Sequence, residues 1–257
     1  MYIDLNCDLG ETGINGVSAN DAAIMPWITS ANIACGLHAG DPEGISATIR
    51  LALQHGTAIG AHPGYPDREG FGRMPMKLGG SALEATLTYQ IGAVKTMTEF
   101  AGGRLNHVKP HGALYNAAAI DRETADIIAG TVRRIDPALI LYGLSGSALA
   151  QAAESIGLSF ASEVFADRAY LDDGTLAPRH IPGAVLHDTG QVIARAIRMV
   201  IHQEVETISG KVIPLRADTL CIHGDHPMAP MLAKELSRAF TGQGIKLKQY
   251  SAKPTEK

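Results

Sequence analysis

LNHVKPHGALYN, residues 105–116, reads as a buried strand running into a loop, yet it sets His107, Lys109 and His111 at every second position. Alternate residues of a strand point to opposite faces, so these three basic side chains share one face while Val108 and Pro110 take the other. A face of that kind needs a polar interior to look into. The same parity recurs elsewhere: Asp4, Asn6 and Asp8 oppose Ile3, Leu5 and Cys7; Cys221, His223 and Asp225 oppose Leu220 and Ile222; Glu163 shares its side with Asp167. If helices cover the apolar faces, the polar faces of several strands look at one another across a lumen.

The rest of the chain supplies the strands and helices for such a barrel. Strand-like runs fall at 2–7 (YIDLNC), 30–35 (SANIAC), 57–62 (TAIGAH), 105–110, 139–144 (LILYGL), 159–165 (SFASEVF) and 219–224 (TLCIHG), with a weaker eighth at 245–250 (IKLKQY). Between them lie amphipathic segments with readable ends. Asp41 caps a helix with Pro42 at its first position, and Gly56 stops it. Ser81 with Glu84 has the spacing of a capping box, Asp188 opens a further helix, and shorter helices fit 121–135 and 147–156. Arg133 and Arg134 read as last-turn charges. Parallel neighbours need a crossover connection, usually a helix, so this alternation predicts a (β/α) barrel of seven or eight parallel strands in one domain over 1–257, with a frayed tail at 253–257. An open doubly wound sheet has the same local pattern and a different closure. The broken stretch 166–187 is expected to drape over one end.

Composition excludes several classes. A chain of 257 residues with 46% apolar and 19% charged residues can build a large core and lacks the signature of disorder. A formal net charge of -4 and no basic stripe argue against nucleic acid. Cys7, Cys35 and Cys221 form no CxxC or zinc-knuckle spacing, which fits a reducing cytoplasm. Met1 leads directly into a strand, leaving no room for a signal sequence, and the longest uncharged run is broken by Pro137, Gly143 and Gly146, so no membrane span is expected.

Polar residues crowd the C-terminal ends of the strands, the rim that holds the active site in (β/α) barrels: Asp8 and Glu11, His38, His62, His111, Asp167 with Arg168, and His223 with Asp225. Each has a plainer reading. Asp41 is foremost a helix cap, His111 alone reads equally well as a structural histidine, and Lys109 alone as a lysine reaching solvent. Together on buried faces, such groups must pair, bind a metal or bind substrate. There is no GxxxxGK[ST] or GxGxxG phosphate loop, no HExxH, and GLSGS (143–147) misses the GxSxG spacing. Histidines and carboxylates at this rim suit a divalent cation, but no local spacing fixes a site.

Six segments in order, IDLNCDLGE, NIACGLHAGDP, AHPGYPDREGFGR, VKPHGALYN, SEVFADRAY and CIHGDHP, closely resemble the LamB/YcsF family of 5-oxoprolinase A subunits. They run from Asp4 to about Pro227. Leu37 stands where the family motif has Phe, and GRMP replaces a GRR run, leaving Arg73 alone in that role. The resemblance implies a distorted (β/α) barrel of about seven parallel strands related to polysaccharide deacetylases, ATP-dependent opening of 5-oxoproline to glutamate, and assembly with two further subunits, B and C. It leaves open which subunit binds ATP and whether a metal is present. The expected catalytic set is Asp8, Lys109, His111, Asp167 and His223, with Asn6, Glu11, His38, His62, Arg168 and Asp225 contacting substrate. A metal-dependent deacetylase or amidohydrolase acting on a small amide or sugar would use the same rim.

Overall fold

The computed structural model describes residues 1–11, 16–224 and 228–251. Along the chain run β1 (Tyr2–Leu9), α1 (Ala19–Ile24), a 3-10 turn (Met25–Trp27), β2 (Ser30–Ala34), α2 (Pro42–His55), β3 (Ala58–His62), α3 (Gly80–Phe100), β4 (Leu105–Val108), α4 (Gly112–Ile120) and α5 (Arg122–Ile135). There follow β5 (Ile140–Leu144), α6 (Ala148–Ser155), β6 (Ser159–Phe165), α7 (Thr189–His202), β7 (Glu204–Glu206), β8 (Val212–Pro214), β9 (Thr219–His223), α8 (Ala229–Gly242) and β10 (Lys246–Leu247). The expected tail at 253–257 lies outside the described residues.

Seven parallel strands, β1-β2-β3-β4-β5-β6-β9, close when β9 pairs back onto β1, setting Asn6 beside Cys221 and Asp8 beside His223. The barrel, not the open sheet, is therefore the architecture. On its outer face Ile3, Leu5, Cys7 and Leu9 are fully buried and join one core with Ile49, Leu87, Ile91 and Val94 of the covering helices. Burying each large aliphatic side chain contributes roughly 1.5–3 kcal/mol. The outward faces of the strands thus meet apolar partners, while buried polar groups gather on the inward faces beside a small apolar cluster of Ile140, Tyr142 and Ala161. No helix among the described residues is long and apolar enough to cross a membrane.

The predicted stops and starts are largely realised. Asp41 accepts from the Glu43 and Gly44 amides, Gly56 takes a left-handed φ of 67°, and Asp121, Ser147 and Asp188 cap α5, α6 and α7. The capping box at Ser81 and Glu84 does not form. Gly79 is the N-cap of α3 without a side-chain bond, and Glu84 instead reaches Arg134 of α5 at 2.8 Å. The weak eighth strand shrinks to β10, which pairs with Tyr2 and Ile3 outside the ring. It has no place within the barrel because β9 already occupies that edge of β1 deeper in. Helices α1, α4 and α8 and the hairpin β7-β8 have no clear local signature; their periodic segments are too short or lack a cap signal.

The stretch 166–187 does fold over one end. Short bridges at Arg168–Val185 and Tyr170–Leu176 tie it together, and the Phe165 amide donates to the Tyr170 hydroxyl at 2.9 Å.

Candidate active site

Inward side chains stack in layers whose depth follows the two-residue period of β1. Deepest is Asp4, which accepts from Thr29, Ser30 and Thr219 at 2.6–2.7 Å and from Tyr142 at 3.0 Å. Burial raises its pKa in spite of those four donors. One layer up, Asn6 donates to Glu163 at 3.0 Å and to Thr219 at 2.7 Å, and accepts from Asn32 at 2.7 Å. His107 donates from Nε2 to Asn32 at 2.8 Å and stacks on Tyr142 with ring centroids 4.1 Å apart. Burial, reinforced by the Lys109 charge, pushes its pKa down to about 3, so the ring is neutral. That ring lies against Gly60, where any Cβ would come within 2.0 Å of Nε2.

Above this layer Lys109 is enclosed. Its Nζ lies 2.8 Å from Asp8 Oδ1, 2.9 Å from Glu163 Oε1, 3.0 Å from Cys221 Sγ and 3.3 Å from Asn6 Oδ1. Burial opposes the ammonium charge, but Asp8 and Glu163 outweigh it and hold the pKa well above the usual lysine value. Asp8, also buried, is held well below the carboxylate range by His62 and Lys109. Cys221 stays a thiol, since burial drives its pKa well up.

At the top, three imidazoles meet two carboxylates. His62 Nδ1 donates to the Lys109 carbonyl at 2.7 Å, and His111 Nε2 donates to the Phe71 carbonyl at 2.8 Å. Their other nitrogens, His62 Nε2 and His111 Nδ1, face each other at 3.0 Å. Glu11 Oε1 stands 3.1 Å from His111 Nδ1 and 3.9 Å from His62 Nε2, and Asp8 Oδ2 is 3.4 Å from His62 Nε2. His38 stacks behind His111 at 3.9 Å with its Nε2 3.4 Å from Glu11. Burial pushes the His38 pKa down to about 4. For His62 burial acts in the same direction, but Asp8 more than reverses it and the net shift is upward. Glu11 is likewise buried, yet its bonds to His111 and His38 hold it well below the ordinary range.

The loop before α3 fixes this cluster. Phe71 adopts a φ of +55°, costly for a non-glycine residue, which turns its carbonyl toward His111. Gly72 follows at φ +65°, and a Cβ there would press within 2.9 Å of both His38 and His111.

On the far side, His223 Nδ1 lies 3.0 and 3.2 Å from the two oxygens of Asp167, and its ring stacks on Phe165. Burial alone would raise the Asp167 pKa; the adjacent His223 brings it below the usual value. Asp8, Glu11, His62, Lys109, His111 and His223 all open onto one cavity of about 650 Å³. Its outer wall comes from the long loop, including Arg168 and Arg179. Arg168 is 6% exposed; its Nη2 donates to the Ala177 carbonyl at 2.7 Å, while its buried Nε has no hydrogen-bond partner among the described residues. Burial and the neighbouring Arg179 push its pKa down to about 10.

The expected residues therefore sort by depth. Asp8, Glu11, His62, Lys109, His111, Arg168 and His223 line the cavity, with Asp167 directly behind His223. Asn6 is buried beneath the floor and His38 behind His111, and neither lines the cavity. Asp225 lies outside the described residues. Strand parity turns Glu163 inward but assigns it no role, and nothing local distinguishes Arg179 from its neighbours; its position in the long 166–187 segment is the available signal.

Two donor groups suit a divalent cation, their ligand atoms lying within 4.8 Å of one another: Glu11, His38 and His111, and Asp8, Cys221 and His223. His62 adds a nitrogen to the first.

Sequence and structure comparisons agree with this picture. The model of the LamB/YcsF family matches residues 3–255. A protein of Heliobacterium modesticaldum, named as the A subunit of 5-oxoprolinase, is 49% identical over 249 residues, covering 96% of this chain and 98% of its own. One of the same name from Syntrophobacter fumaroxidans is 48% identical over 247 residues, covering 96% and 98%. The crystal structure of a lactam utilization protein from Thermus thermophilus superposes with a TM-score of 0.91 at 44% identity, covering 97% of this chain and all of that one (100%). The catalytic domain of a peptidoglycan N-acetylglucosamine deacetylase from Eubacterium rectale shares the fold alone, with a TM-score of 0.51 at 10% identity over 98% and 90% of the two chains.

Proposed function

The chain belongs to the LamB/YcsF family, and from that premise we propose that its barrel opens the lactam ring of 5-oxo-L-proline by hydrolysis, giving L-glutamate, as the A subunit of a multi-subunit, ATP-hydrolysing 5-oxoprolinase. The observation that carries the proposal is the convergence of ionised carboxylates and imidazoles from four different strand ends on one cavity lined by three arginines, Arg73, Arg168 and Arg179. The names of the relatives and of the Thermus structure support the same substrate class.

A five-membered lactam is a stable amide. Opening it requires a water made nucleophilic, a place for the carbonyl oxygen's charge, and a proton for the departing nitrogen. Arg168, with its unpartnered Nε, and Arg179 suit the substrate carboxylate, because guanidinium groups bind such anions through paired, charge-assisted bonds. Asp8 keeps Oδ2 on the cavity side and takes a proton from water; the oxygen adds to the ring carbonyl, the C–N bond breaks, and His223 protonates the nitrogen. Asp167 accepts from His223 Nδ1 and so fixes a proton there and orients the ring; the proton delivered to the nitrogen is the one Nε2 carries when the ring is an imidazolium. Lys109 is already bonded to two carboxylates, so it serves by keeping Asp8 ionised beside Glu163 rather than by gripping substrate.

Residues of this chain form no phosphate loop of the GxxxxGK[ST] or GxGxxG type, and no step in this scheme is assigned to the nucleotide. ATP is proposed to act chiefly on the B and C subunits and to supply the driving force. The test is release of glutamate from 5-oxoproline with ATP, measured for this chain alone and with both partners. Release only in the complex, lost on Asp8→Asn, is the expected result. No release from the reconstituted complex would remove the proposal. The second reading, a metal-dependent amidohydrolase, draws on the Glu11, His62 and His111 cluster; it predicts ATP-independent activity that chelators abolish.

A further inference from the structure

With both rings neutral, the protons around His62 and His111 do not balance. His62 Nδ1 must carry hydrogen, because it meets the Lys109 carbonyl at 2.7 Å, and His111 Nε2 must do so because it meets the Phe71 carbonyl at 2.8 Å. In two neutral rings the remaining nitrogens then present lone pairs to each other at 3.0 Å. Glu11 adds a third acceptor 3.1 Å from one and 3.9 Å from the other. With both rings neutral these three acceptors, and Asp8 Oδ2 at 3.4 Å from His62 Nε2, converge with no hydrogen between them; an added proton on one ring or a metal cation balances such a buried cluster.

The spacing indicates which kind. Adjacent ligands of a tetrahedral metal with bonds of 2.0–2.1 Å stand about 3.3 Å apart. The three separations here are 3.0, 3.1 and 3.9 Å. Imidazoles that ligate a metal characteristically donate their other N–H to a carbonyl or carboxylate, which fixes tautomer and ring orientation. Both rings do so, one of them through the strained Phe71. His38 Nε2, within 3.4 Å of Glu11, orients the carboxylate from behind. All three prospective ligands also open onto the cavity, leaving room for a fourth position there.

We propose that Glu11, His62 and His111 bind a divalent cation of the zinc class through Oε1, Nε2 and Nδ1, with the open coordination position facing the cavity. This site stands on its own geometry and does not depend on 5-oxoproline being the substrate.

The test uses the full chain, stripped with chelator, dialysed and titrated with zinc chloride by calorimetry, with metal content checked by mass spectrometry. One equivalent per chain is expected. Glu11→Gln, His62→Gln and His111→Asn should each weaken binding at least about tenfold, the loss typical even of supporting groups at metal sites. His223→Gln, a member of the other donor group, should leave the affinity nearly unchanged. Anomalous scattering from zinc-soaked wild-type crystals should peak between the three ligands, a readout that survives any folding defect in the variants. Absence of saturable uptake by the wild-type chain, or a peak beside Cys221 and His223 instead, would overturn the proposal. Neither readout involves turnover, so a failed glutamate-release assay leaves it standing and a failed titration leaves ring opening standing.

Discussion

The Lys109 ammonium sits 2.9 Å from the Glu163 carboxylate at the closed floor of the cavity, with Asp8 bound to the same nitrogen at 2.8 Å. One buried cation therefore serves two buried anions. Lys109→Met removes it and leaves Glu163 with only the Asn6 amide, and Asp8 with Asn32 and His62, as partners among the described residues. A loss of about 3–5 kcal/mol is expected, because removing one partner strands the other's charge. Urea denaturation at neutral pH measures it; an unchanged midpoint and slope would contradict the enclosure of Lys109.

Gly60→Ala tests the tightness of the lumen. The added methyl would lie 2.0 Å from His107 Nε2, and the ring is hemmed in by Tyr142 and Asn32. Overpacking at such a site costs roughly 1–3 kcal/mol or more. Thermal unfolding should fall correspondingly, and Gly60→Ala with His107→Ala together should recover part of the loss.

His107 also predicts an acid dependence of stability. Its folded pKa of about 3 lies below its ordinary 6.5. Between those values the unfolded chain binds the extra proton, so stability falls as pH falls from about 6.5, at up to ~1.4 kcal/mol per pH unit from this group. His107→Gln removes that proton. The difference between wild type and variant, followed by urea denaturation from pH 7 to pH 5, should narrow as pH is lowered.

Arg168→Lys keeps the charge but loses the planar fork whose Nε is unpartnered in the cavity wall. With the reconstituted complex, KM for 5-oxoproline should rise about tenfold or more, as expected for losing a bond between charged groups, with kcat less affected. Arg179→Ala should act in the same sense. A fall confined to kcat would place these arginines elsewhere in the reaction.

Asp167→Asn leaves a hydrogen-bonding group against His223 Nδ1 but favours the wrong tautomer. Loss of that general acid should lower kcat by about 10²-fold or more with KM little changed. A shifted pH–rate profile separates this from a merely structural effect.

Much of the architecture is legible locally. Strand parity marks Asp4, Asn6 and Asp8, and His107, Lys109 and His111, as inward residues, and all of them prove to be buried. Helix caps at Asp41, Asp121 and Asp188 follow from side-chain chemistry that acts within three residues. The capping box at Ser81 fails because α3 already begins at Gly80, with Gly79 as its N-cap, so Ser81 lies inside the helix and Glu84 pairs with Arg134 of another helix.

The sequence by itself determined which side chains face inward, because the two-residue alternation of a strand is a property of the backbone and of the apolar set that must meet the helices. Tertiary structure decided how deep each one lies and whom it meets. Asn6 and Asp8 share a face, yet the register of β1 on β9 sets Asn6 opposite Cys221 beneath the floor and Asp8 opposite His223 at the cavity. His38 and His62 both follow or end strands, yet the packing of the Phe71–Gly72 turn puts one behind His111 and the other in front of it. Register, closure and loop packing depend on contacts between residues far apart in the chain, so the meeting of Glu11, His62 and His111 exists only once the ring of strands has closed.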